Sequence, residues 1–160
     1  MALTMAGLRK LLDGEGLKYF LHPDQPVVLM GMGGLYGSYQ IGISLQDDGR
    51  FLQLRTLGYV RCPATHEHLA TVLRTLAEIN FRVRFVKFGW DPQDGEIMAY
   101  ADMWVMDGTV TQAQFNRIMA NLIPTIDLNY PRLGRTMETG VDPGVPDQPG
   151  MPPGGFPTTI

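Results

Sequence analysis

The spacing of apolar side chains divides this chain into elements before any residue suggests chemistry. Leu8, Leu11 and Leu12 have helical spacing, and Gly14 and Gly16 end that pattern, which predicts a short amphipathic helix at the start. Residues 17–21 and 27–32 are short extended runs, separated by His22-Pro-Asp-Gln-Pro26, whose two prolines require a loop. From 39 to 46 the alternation is regular: Ile41, Ile43 and Leu45 point one way, Gly42, Ser44 and Gln46 the other. Asp47-Asp48-Gly49 supplies a tight turn, and residues 51–57 return as the next strand.

Thr65, after Pro63, is a helix start, with Leu69, Val72, Leu73, Leu76 and Asn80 following on one side. Residues 84–90 and 96–106 read as strands joined by Asp91-Pro-Gln-Asp-Gly95. Thr111 caps a third helix with the stripe Phe115, Ile118, Met119, Leu122 and Ile126; Pro124 is expected to kink it and Pro131 to fall beyond it. The order α-β-β-β-α-β-β-α predicts an α+β fold with an antiparallel sheet, not alternating parallel units. One domain is expected over residues 1–137.

The second hairpin permits a sharper expectation if its register pairs Asp91 with Glu96. Trp90, Phe88 and Val86 then share a face with Ile97, Ala99 and Ala101, large side chains opposite small ones, as a packed layer requires. Val83, Phe85 and Lys87 fall on the other face, beside Met98, Tyr100, Asp102, Trp104 and Met106. That face mixes aromatic and methionine area with charge, a composition enriched where proteins bind proteins. Two structures are compatible with it: a face covered by a helix or doubly buried, and a face left open for a partner.

Composition narrows the class. The chain has 160 residues, 44% apolar and 18% charged, a globular balance, and no window approaches the roughly 18 apolar residues of a membrane span. No signal peptide is recognisable at the start, so a cytoplasmic location is expected. Cys62 is the single cysteine, which excludes an internal disulfide. Residues 138–160 hold Glu138, Asp142 and Asp147 with no Lys or Arg, leaving 13 acidic and 13 basic side chains in residues 1–137. A neutral domain has no electrostatic reason to hold nucleic acid or an anionic membrane, and self-association into a homodimer is plausible. The same 23 residues contain six of the twelve prolines, which predicts a flexible, acidic Pro/Gly-rich tail.

The motifs that suggest catalysis or ligands fall short. Gly31-Met-Gly33-Gly34-Leu-Tyr36-Gly37 has Tyr36 where a dinucleotide fingerprint needs glycine, lacks the lysine of a phosphate loop, and precedes a strand. His66 and His68, two apart on a helix, diverge and find no third ligand nearby, so no metal is expected. Cys62 has no recognisable orienting base and reads as a small buried residue; a thiol enzyme built on it ranks last. Asp91, Asp94 and Glu96 are explained by turn chemistry, since Pro92 occupies a position that a calcium loop needs for a ligand. Phe85-Val-Lys-Phe88 lacks the leading half of an RNA-recognition signature.

Asn80 closing the central helix, the run Phe85-Val-Lys-Phe-Gly-Trp90, the turn Asp94-Gly95, the strand through Trp104, and a final helix from Thr111 through Phe115 into Asp127-Leu-Asn-Tyr130-Pro-Arg-Leu133 form a recognisable series. Together with the opening Leu11-Leu-Asp-Gly-Glu-Gly-Leu-Lys-Tyr19, they resemble the YbjN-type domain family of bacteria, whose fold is similar to that of type III secretion chaperones. The resemblance covers everything before the tail. It implies an often dimeric domain that binds protein segments and has no known catalytic centre, and it carries no functional residues across. The glycine-rich loop and the Pro/Gly tail depart from the family pattern.

The expectation is therefore a non-enzymatic, chaperone-like or adaptor domain without a cofactor. Its protein or peptide partner would be bound through an exposed sheet face or edge, at Phe85, Lys87, Met98, Tyr100, Asp102, Trp104 and Met106. The alternative is a small-molecule sensor with a pocket under the loop from Gly31 to Gly37.

Overall fold

The structure, a computed structural model, describes residues 2–145. Its elements are α1 (Met5–Gly14), β1 (Phe20–Leu21), β2 (Val27–Gly33), β3 (Ser38–Gln46), β4 (Phe51–Leu57), β5 (Val60–Arg61), α2 (Leu69–Arg82), β6 (Lys87–Trp90), β7 (Glu96–Trp104) and α3 (Gln112–Thr139). This is the expected α+β fold of three helices with an antiparallel sheet. Among the described residues no helix is long and apolar enough to cross a membrane.

Strands β1 to β4 form a meander, β4 pairs with β7, and β6 pairs with the other side of β7. Strands β4 and β5 lie end to end along one side of β7, since Ile97 has Val60 on one flank and Trp90 on the other. Between them the chain leaves the ladder at Gly58, φ +61°. The Thr56 hydroxyl then completes β7 there, accepting from the Ala99 N–H at 2.9 Å and donating to its carbonyl at 3.4 Å.

Register and burial agree. Val28, Ile43, Leu54 and Ala101 stand opposite one another across four strands, as do Met30, Ile41 and Thr56, and all seven are buried. Leu8 and Leu12 of α1, Val72 and Ile79 of α2, and Phe115, Leu122 and Ile126 of α3 complete this core. The second hairpin has the expected register, Trp90 opposite Ile97 and Phe88 opposite Ala99.

Three boundaries differ from expectation. Helix α2 begins at Leu69 rather than Thr65, because Pro63 to His68 closes as turns, with His66 N–H on the Pro63 carbonyl at 2.9 Å. Strand β6 begins at Lys87, because Phe85 is held at φ +72°, outside the extended region. Helix α3 does not end near Ile126: it runs through Pro124 and Pro131 to Thr139, about 42 Å at 1.5 Å per residue. Each proline removes one helical hydrogen bond, yet Leu133 and Thr136 beyond them are fully buried, and that packing holds the helix together.

The boundary expected at residue 138 therefore falls inside α3, and the chain beyond it is tied down. Gly140 ends the helix in the left-handed conformation, φ +73°. Asp142 then accepts two hydrogen bonds from Arg132, at 2.8 and 2.6 Å. Arg132 is 2% exposed and also reaches Glu78 of α2 at 3.3 Å; its Nη1 has no partner among the described residues. Removing one member of a buried ion pair leaves the other charge desolvated. The remainder of the expected flexible tail, residues 146–160, lies outside the described residues.

Asp142→Ala is thus expected to lower the unfolding free energy by about 3 kcal/mol, read as a shift of the urea midpoint at unchanged slope. Glu138→Ala, whose contact with Arg135 joins two exposed groups at 3.8 Å, should change it by less than about 0.5 kcal/mol. An Asp142→Ala chain as stable as its parent would show that the segment after α3 is no part of the fold.

Candidate functional site

The helices cover one face of the sheet and leave the other to solvent. On that open face Lys87 stands opposite Tyr100, Tyr100 opposite Arg55, Asp102 opposite Gln53, and Trp104 opposite Phe51. Phe51 and Trp104 pack with ring centroids 4.8 Å apart, although Trp104 remains 65% exposed. The Asp102 carboxylate accepts from Gln53 at 2.9 Å and from Lys87 at 3.0 Å. The Lys87 ammonium also lies 4.8 Å from the Tyr100 ring centre. Beside these residues is a shallow groove of about 430 Å³, bounded by Arg55, Trp90, Pro92, Met98 and Tyr100.

Five of the seven residues expected at a partner surface are therefore brought together: Lys87, Met98, Tyr100, Asp102 and Trp104. Phe85 and Met106 lie outside the paired strands, each with a left-handed backbone, φ +72° and +54°; both are about half exposed. Val83, expected on this face, packs against the core instead. Phe51, Gln53 and Arg55 were not anticipated. Their alternation along β4 was readable, but its pairing with β7, distant in sequence, was not.

One edge of the sheet is closed. The Asn80 amide of α2 donates to the Phe88 carbonyl at 2.9 Å and accepts from the Phe88 N–H at 2.8 Å. Both outward backbone groups of Phe88, which an added strand would need at β6, are satisfied from within the chain.

The glycine-rich loop has an internal partner as well. Asp127 of α3 accepts from the Leu35 N–H at 2.7 Å, the Tyr36 N–H at 2.9 Å and the Tyr39 hydroxyl at 2.6 Å. A side chain at Gly34 would collide with this carboxylate, so the space beneath the loop, expected as a ligand pocket, is filled by Asp127. Burial alone would raise the Asp127 pKa. The Tyr39 hydroxyl and the loop N–H groups outweigh it and hold it below the usual carboxylate range. Tyr39 is pushed well above the ordinary phenol range, first by burial and then by its bond to Asp127. Its ring lies 5.9 Å from Tyr59 and 5.6 Å from Tyr130, and the Tyr59 hydroxyl donates to the Ile126 carbonyl at 2.6 Å. This cluster ties the loop between β2 and β3, β3 itself and the connection between β4 and β5 to the middle of α3.

Cys62 is fully buried, and burial pushes its thiol pKa upward, away from the reactive thiolate. His66 and His68 lie beside one another with ring centres 5.9 Å apart. Among the described residues no three His, Cys, Asp or Glu side chains are grouped to hold a metal ion.

A family model, YbjN, described as "putative bacterial sensory transduction regulator", matches residues 4–135. Comparison with the curated proteins finds no match. Among solved structures, YbjN from E. coli is similar with a TM-score of 0.59 and 20% identity, over 78% of this chain and 86% of that one. The HopA1-SchA chaperone-effector complex is similar at 0.51 and 14%, over 73% and 84%. The ExsC-ExsE complex is similar at 0.53 and 17%, over 83% and 97%. These likenesses show a shared fold.

The Asp127 contacts carry a pH dependence of definite sign. A carboxyl whose folded pKa is depressed adds stability above its unfolded pKa, about 3.9, and loses it as the pH falls through the folded value. Asp127→Asn is expected to cost about 2 kcal/mol at pH 7, because an amide cannot accept on both sides from the converging donors. The difference from the parent chain should shrink below about pH 4 in urea titrations. A difference that stays constant down to pH 2 would remove Asp127 as the ionised anchor of the loop.

Proposed function

Since the chain belongs to the YbjN family, we propose that it is a protein-binding module, chaperone-like or adaptor-like in action and not an enzyme, whose binding surface is the open face of the sheet. The observation that carries this reading is the uncovered row of Met98, Tyr100 and Trp104 on β7, extended by Phe51 across the strand boundary. Large amphipathic side chains held on a rigid sheet offer a partner contact area at little entropic cost. Lys87 and Asp102 neutralise each other in the middle of that face.

Two further observations support the reading. The HopA1-SchA and ExsC-ExsE structures, which share the fold, are complexes, the first of a chaperone with its effector. The Asn80 clamp on Phe88 favours the face over the β6 edge as the route of binding. The alternative of a small-molecule sensor under the glycine-rich loop loses its site to the Asp127 carboxylate.

The test combines Tyr100→Ala with Trp104→Ala. Both side chains project from the solvent face, so the fold should persist, while recovery of partners from a native lysate should fall at least about tenfold, as for hot-spot aromatics. Unchanged recovery with a folded double variant would remove this face from the proposal.

A further inference from the structure

The sheet edge opposite β6 is open. Strand β1 is terminal, and no described element pairs with its outer side. The His22 N–H is given to the Val27 carbonyl at 2.8 Å, so the alternation of an antiparallel ladder turns the backbone groups of Phe20 inward to Leu29 and those of Leu21 outward. The peptide bonds are trans, so the Tyr19 carbonyl also points outward; neither it nor the Leu21 N–H and carbonyl has a hydrogen bond among the described residues. This edge is nonetheless held in place: the Tyr19 hydroxyl donates to Asp13 of α1 at 3.0 Å and accepts from Arg9 at 3.4 Å. Phe20 is 78% and Leu21 44% exposed. Phe20 shares a row with Leu29, Gly42, Arg55 and Tyr100, which places its ring on the open face.

The edge is complementary to itself. When two copies pair antiparallel with Phe20 opposite Phe20 of the second copy, Leu21 of each stands opposite Tyr19 of the other. The outward Leu21 N–H of each copy then meets the outward Tyr19 carbonyl of the other. Phe20 takes the position without hydrogen bonds, where Cα atoms come within about 4.5 Å and side chains pack most closely. Lys18 precedes the strand and Asp24 follows it; both are exposed, and neither has an ion pair among the described residues. Reversal of direction carries Lys18 of each copy to the end of the strand that holds Asp24 of the other, so the charges are matched at both ends. Residues 1–137 hold 13 acidic and 13 basic side chains, so no net repulsion opposes the pairing. A foreign strand would find only two residues before Pro23, whereas a second copy makes every contact twice.

We propose that two copies of this chain join at the β1 edge, antiparallel about a twofold axis between their Phe20 side chains, and form one continuous sheet. That axis stands perpendicular to the sheet, so the open faces of both copies lie on the same side and make one surface. The contact is small, and the dimer is therefore weak and concentration-dependent. It does not depend on what the open face binds.

Light scattering of the full chain over a concentration series is expected to show passage from monomer to dimer. Phe20→Asp sets two carboxylates face to face and should raise the dissociation constant at least about tenfold. Phe81→Asp, at an equally exposed ring on α2, should leave it unchanged. A second reading uses oxidation: Cys62 is buried, so Phe20→Cys should give a disulfide-linked dimer, since its Cα separation falls in the bridgeable range of about 4.4–6.8 Å, and Phe81→Cys should not. A parent that stays monomeric, a dimer as tight in Phe20→Asp as in the parent, or equal cross-linking at positions 20 and 81 overturns the proposal. A monomeric parent whose partner capture falls in Phe20→Asp also overturns it, by giving the edge to a partner's strand. If dimerisation ignores Phe20→Asp while partner capture still depends on Tyr100 and Trp104, the edge pairing is wrong and the binding face stands.

Discussion

A sheet of this width presents two faces of similar area, and the chain has three helices with which to cover them. All three contribute side chains to the one core that contains the row from Val28 through Ile43 and Leu54 to Ala101, and α3, the longest, also meets α1 and α2. Coverage of the opposite face would need another layer, which the described residues do not contain. The open face therefore follows from the count and placement of helices, and its side chains must be stable in water without a roof. The Lys87–Asp102 pair, with 55% and 21% exposed side chains, contributes little to stability. Its effect is to fix the orientation of groups on which Tyr100 and Gln53 also depend.

The rims of the sheet are treated differently from its face. At β6, Asn80 imitates a neighbouring strand and occupies both outward groups of Phe88. Inside the sheet, Thr56 does the same for Ala99 where β4 gives way to β5. Unpaired backbone groups at an edge attract any extended chain, whereas side chains on a face select among partners by shape and charge. Closing the β6 edge at Phe88 while leaving the face open therefore shifts recognition on that side of the sheet from indiscriminate pairing toward selection by side chains.

Much of this was legible from residue patterning, and the reasons it stops are specific. The alternation along residues 39–57 and the large-against-small match of Phe88 with Ala99 are local signals; the first marked the two strands and the second gave the register. The seat of β4 beside β7 depends on a pairing some fifty residues apart in sequence, so Phe51, Gln53 and Arg55 could not be assigned to the same surface as Tyr100. Prolines read as helix breakers, yet α3 contains two, because burial of Leu133 and Thr136 outweighs two missing hydrogen bonds. The role of Asp127 appears only when the loop at Gly34 to Tyr36 folds back onto α3 from more than ninety residues away.

Arg132 presents a question that patterning also could not raise: why a fully buried guanidinium is kept where an apolar side chain would fill the space without desolvation. A buried ion pair adds little net stability over a well-packed hydrophobic replacement, but it is far more directional. The two parallel bonds from Arg132 to Asp142 admit one orientation of the segment that follows Gly140. A leucine at that position would hold the helix equally well and leave the departing chain free to choose its course. The pair's contribution is to location: it holds Asp142 against α3 and, through the contact of Arg132 with Glu78, beside α2.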